Sequence, residues 1–95
     1  MSLLKMVEDT HPVDENGVIR IYTFSSGYQL SAVKFCASYG GDQNLWEIAV
    51  MNKNRDFVTG DFFPDECKSD SYGADVIGYV DNDKLKNYVQ QLEEL

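Results

Sequence analysis

The sequence predicts a small α+β domain: a meander-like antiparallel sheet of three to five strands with a C-terminal amphipathic helix packed on one face. Three observations predict it. Runs rich in β-branched and aromatic residues alternate with clusters of Gly, Asn, Asp and Ser. The last residues place apolar side chains at helical spacing. The chain has 95 residues, of which 43% are apolar and twelve are aromatic, enough to bury the core of one domain spanning 1–95.

The elements follow in order. Residues 1–16 contain Pro12 and the polar Asp14-Glu15-Asn16-Gly17 cluster, and are read as a partly mobile lead-in ending in a turn. Val18 to Phe24 favours a strand. Ser25-Ser26-Gly27 offers a tight turn, and Tyr28 to Ala37 then alternates, so a hairpin is expected. Leu30 and Ala32 fall on one face of that second strand, and Gln29, Ser31 and Val33 on the other. Ser38 to Asn44 is a loop by composition, and Leu45 to Met51 is the clearest strand, with Trp46, Ile48 and Val50 on one face. Asp56 to Thr59 could return as a further strand, and residues 60–74 read as a long loop. Asp75 to Val80 is a last short strand or an extended lead-in to the helix. Asp81, Asn82 and Asp83 then supply capping chemistry for a helix over 82–95, whose stripe is Leu85, Tyr88, Val89, Leu92 and Leu95.

The net charge of −8 is unevenly spread. Between Asp56 and Asp83 eight acids face one base, Lys68, whereas the rest of the chain carries eight acids and seven bases. Direct nucleic-acid binding needs a basic footprint, and anionic membranes repel such a surface, so neither is expected as a partner. No run of about 20 apolar residues is present to span a bilayer. The N-terminus makes a poor signal peptide, so the expected compartment is cytoplasmic, where two cysteines such as Cys36 and Cys67 are more often reduced, although one disulfide is arithmetically possible.

Catalytic signatures are missing. The single His11 lies between Thr10 and Pro12 and reads as surface decoration. No phosphate loop, nucleophile elbow or dinucleotide fingerprint occurs. Asp81-Asn82-Asp83 opens like a calcium loop, but Leu85 and Lys86 stand where further ligands and Gly belong, so it reads as a helix cap. Asp61, Asp65, Glu66 and Asp70 could at most form a weak site for a hard cation. No enzyme activity, cofactor or metal is therefore expected. The acidic stretch is interleaved with aromatics, a combination suited to a basic protein surface, because carboxylates steer encounter and aromatics anchor it. The expected partner-binding residues are Asp56, Asp61, Phe62, Phe63, Asp65, Glu66, Asp70, Tyr72 and Asp75. The plain alternative is a solubilising surface.

Four runs carry a family resemblance: Gly27-Tyr28 entering a strand, the Ser38-Tyr39-Gly40-Gly41 loop, Leu45 to Val50, and Asp75 to Tyr79 before the helix. Together, over about residues 19–95, they resemble short uncharacterised accessory proteins of tailed bacteriophages. The acidic stretch between Val58 and Asp75 departs from that pattern. The resemblance implies a viral protein in the host-cell cytoplasm, of a class that binds and inhibits host proteins. Two other readings are a small-ligand or nucleotide binder using the Ser38–Asn44 loop with Tyr28, Tyr39 and Trp46, and a minor virion component.

Overall fold

The computed structural model describes residues 1–69 and 73–95. Its elements are β1 (Leu3–Thr10), β2 (Val18–Phe24), β3 (Gln29–Lys34), a 3-10 turn (Gly41–Gln43), β4 (Trp46–Met51), α1 (Thr59–Phe62), β5 (Lys68–Ser69), β6 (Asp75–Val80) and α2 (Asn82–Glu93). The strands form one antiparallel sheet in the order β1-β2-β3-β4-β6-β5. The α+β class and the meander of the first four strands match the sequence. Among the described residues the sheet has six strands, above the expected three to five.

The two additional strands are β1 and β5. The segment read as a lead-in pairs with β2 over seven positions, from Leu3 opposite Phe24 to Thr10 opposite Val18. From Leu4 onward every β1 side chain is exposed, so it lacks the one-face alternation by which a half-buried strand is recognised. Backbone pairing forms it instead. β5 is a two-residue strand, Lys68 opposite Val76 and Ser69 opposite Asp75, too short to leave a pattern in a sequence.

The expected return strand at Asp56 to Thr59 reduces to one bridge, Phe57 opposite Met51. The chain then turns into α1 because of Thr59, which is fully buried. Its hydroxyl accepts from the Val50 N–H at 3.0 Å and donates to the Asp75 carbonyl at 2.6 Å. One side chain thus joins β4 to β6 and satisfies two backbone groups that a strand would otherwise have paired.

The core lies between the sheet and α2. Phe24, Leu30, Ala32, Trp46, Ile48, Val50, Ile77 and Val80 meet Leu85, Val89 and Leu92 of the helix, with Phe63 from the end of α1. Tyr88 is half-buried beside them, and Leu95, expected in the stripe, lies past the helix end and is exposed. Asp81 is the N-cap of α2, its carboxylate accepting from the Lys84 N–H at 2.7 Å. The buried Trp46 donates its indole N–H to Asn82 Oδ1 at 2.8 Å, fixing the start of the helix to β4. Among the described residues no helix is long and apolar enough to cross a membrane.

Because Leu92 is enclosed on all sides, Leu92→Ala is expected to lose about 2–5 kcal/mol of unfolding free energy. Thr59→Val keeps the volume but strips the acceptor from the Val50 N–H, and is expected to lose about 1–3 kcal/mol. Urea denaturation of both variants checks these values. A Thr59→Val loss under a few tenths of a kcal/mol would show that the hydroxyl bridge is dispensable.

Candidate functional site

The site is generated by an irregularity in β6. Trp46 pairs with Val80 but Ile48 pairs with Ile77, so a step of two residues on β4 is matched by a step of three on β6. The additional residue makes a β-bulge at Gly78-Tyr79. It lets Ile77 and Val80 both enter the core, which strict alternation would forbid. Tyr79 adopts φ 57°, a left-handed conformation that costs a non-glycine residue about 1–2 kcal/mol, and its side chain is 54% exposed.

The loop after β3 packs against this bulge. The Tyr79 N–H donates to the Tyr39 carbonyl at 3.2 Å, and the Tyr39 N–H donates to Glu47 Oε1 at 3.0 Å. Gly78 permits the approach, since a Cβ there would lie 2.5 Å from the Tyr39 Cβ. Two exposed tyrosines from distant parts of the chain are thereby set side by side.

Beside them runs a groove of about 460 Å³ between β6 and α2, walled by Tyr39, Tyr79 and Tyr88 and lined by Glu66, Lys68 and Lys84. Val76 to Val80 of β6 complete its lining. Tyr88 is braced from behind by Phe63, ring edge to ring face, with centroids 4.9 Å apart. Burial raises the Tyr88 phenol above its ordinary pKa, and the charge of Glu66 raises it further.

Among the described residues, Glu66 is the one expected partner-binding residue that lines this groove. Asp61, Asp65 and Glu66 are exposed on the arm from α1 to β5, and Glu66 reaches the groove wall. Phe62 is half-buried, its ring edge-on to Tyr28 at 5.3 Å. Phe63 is a correction: it is buried in the core, because the turn of α1 directs it toward α2, so it supports the surface from below. Asp75 is half-buried in β6 and accepts from Ser69 Oγ at 3.3 Å. Asp56 is exposed beyond the C-terminal end of β4, tied to the Asn52 side chain by two hydrogen bonds. Asp70 and Tyr72 lie outside the described residues.

Tyr39, Tyr79 and Tyr88 are not among the expected partner-binding residues. A signal for the bulge does exist: Val76-Ile77-Gly78-Tyr79-Val80 breaks period two, with Gly at the break. The residues of the ligand-binding alternative are separated. Tyr28 packs on Phe62, Tyr39 joins the groove, and Trp46 is buried, with the Arg20 guanidinium 4.7 Å and the Lys34 ammonium 4.2 Å from its ring centroid. Burial lowers the Lys34 pKa, and the neighbouring Arg20 lowers it further. His11 stacks on Phe35 with centroids 4.0 Å apart and accepts from the Val13 N–H through Nδ1. Among the described residues no three His, Cys, Asp or Glu side chains converge to hold a metal ion, and both cysteines are free thiols.

No protein-family model, curated protein or solved structure matches the chain.

The electrostatics of the groove are testable through Tyr88. Glu66→Gln removes a negative charge that disfavours the phenolate, so the Tyr88 pKa is expected to fall while burial holds it above the ordinary value. Ring-carbon NMR shifts followed against pH measure it. An unmoved midpoint would mean that Glu66 does not face the groove.

Proposed function

We propose that this chain is a protein-binding module, an accessory protein of a tailed bacteriophage that engages and inhibits a basic host protein, and not an enzyme. The observation that carries this reading is the tyrosine-walled groove with Glu66 on its wall and the exposed Asp61 and Asp65 on the same arm. Tyrosines are strong anchors because each presents a large rigid face with a polar tip at low entropic cost. Because Lys68 and Lys84 offset Glu66 within the groove, the tyrosine faces take apolar and aromatic side chains of the partner, and its basic groups are met by Asp61 and Asp65 outside.

The charge serves encounter more than retention. Carboxylates outside the groove accelerate approach of a basic surface and suppress acidic competitors, in a salt-dependent way. The groove then sets the lifetime of the complex through aromatic burial. The resemblance of four sequence runs to phage accessory proteins supports a partner in the bacterial host.

The test is capture from bacterial lysate by the tagged protein at low and at high salt, with the captured partner then titrated against variants. Tyr39→Ala with Tyr79→Ala is expected to weaken binding by about 30-fold or more, mainly through faster dissociation. Asp61→Asn, Asp65→Asn and Glu66→Gln together are expected to slow association and flatten its salt dependence. If both sets leave affinity and salt dependence unchanged, the surface is not the binding face.

A further inference from the structure

We propose that a second copy of this chain pairs along β1, joining two sheets into one continuous sheet about a two-fold axis through Val7. β1 is an outer strand of the sheet, eight residues long, and Leu4, Met6 and Val7 are 65%, 45% and 51% exposed. Such an edge is a template for another strand unless something blocks it. The inference is independent of the tyrosine groove, which borders β6 near the opposite edge of the sheet.

The phase of the ladder fixes which groups are offered. The His11 N–H donates to the Gly17 carbonyl at 3.0 Å, so alternation turns the backbone groups of Lys5, Val7 and Asp9 toward β2. Those of Met6 and Glu8 point away from it. The side chains of Met6 and Glu8 share the α2 side of the sheet with Tyr22 and Arg20, while Lys5, Val7 and Asp9 lie on the other side.

A two-fold axis perpendicular to the sheet keeps like faces together, so the register can move only in steps that preserve this parity. Centring on Lys5 sets lysine opposite lysine, and centring on Glu8 sets glutamate opposite glutamate. Centring on Met6 sets Lys5 opposite Val7, without charge compensation. Centring on Val7 sets Lys5 opposite Asp9 twice, Val7 opposite Val7, and Met6 opposite Glu8. It alone matches opposite charges.

The groups are free to do this. Lys5 makes no ion pair within the chain among the described residues, whereas Glu8 is already engaged by Arg20 at 2.6 Å and faces only Met6 of the second copy. Met6 and Glu8 exchange backbone bonds across the axis, two from each end. Asp9 Oδ1 accepts from its neighbouring Thr10 N–H at 2.7 Å, which closes the ladder there and leaves the other carboxylate oxygen for Lys5. The edge charges therefore block wrong registers and admit one.

The experiment is sedimentation equilibrium across a concentration series, with circular dichroism to verify each fold. The intact chain is expected to approach twice its 10.8 kDa mass. Lys5→Asp and Asp9→Lys, each alone, are expected to remain at monomer mass at the same concentrations, because each leaves two like-charge pairs. Mixed one to one, the two variants are expected to form a heterodimer, since every pair is again opposite in sign. Met6→Pro deletes an outward N–H without touching the β1–β2 ladder and is expected to be monomeric. A monomeric intact chain, dimers indifferent to the charge changes, or variants that fail to pair when mixed would each overturn the proposal.

Discussion

The surface architecture depends on one additional residue in β6. A regular strand over Asp75–Val80 would place Ile77 and Val80 on opposite faces, and the core would lose one of them. The bulge resolves this by giving both to the core, and the conformational cost falls on Tyr79. A strained residue with an exposed aromatic ring is poor design for stability alone. It becomes intelligible when the ring belongs to a site, where strain is held in place by the surroundings. Here those surroundings are the Tyr39 carbonyl, the absence of a side chain at Gly78, and the apolar anchors on both sides.

Around this bulge the rest is support. Thr59 fastens β4 to the first residue of β6, and so fixes the root of the arm that carries Asp61, Asp65 and Glu66. Phe63 leaves that arm to enter the core and braces Tyr88. Trp46 holds the start of α2 through Asn82, which positions the other wall. Three contacts from three parts of the chain thus set the position of the surface, Phe63 by touching Tyr88 and the other two from a distance.

What the sequence revealed followed from burial. β2 and β6 lie at their expected bounds, and α2 starts at its expected residue, because each has a strong β-branched or helical pattern with clear punctuation. β1 escaped because an edge strand exposed on both faces has no alternation to detect, and β5 because two residues carry no period. Of the site, the carboxylates could be read from composition, since exposed acids rarely have anywhere else to go. The tyrosines could not. Tyr39, Tyr79 and Tyr88 are brought together by tertiary packing of a loop, a bulge and a helix, and Phe63 looked like a surface aromatic until the turn of α1 directed it inward.

The left-handed conformation in which the bulge holds Tyr79 has a direct thermodynamic consequence. In an ordinary strand, replacement by Ala leaves a more stable protein than replacement by Gly, because Gly loses more conformational freedom on folding. At a left-handed position the order reverses, since only Gly adopts it without steric penalty. Unfolding free energies of Tyr79→Gly and Tyr79→Ala should therefore be compared under identical conditions. Tyr79→Gly is expected to be the more stable by about 1 kcal/mol. If Tyr79→Ala is the more stable, the bulge does not hold Tyr79 as described, and the groove loses its basis.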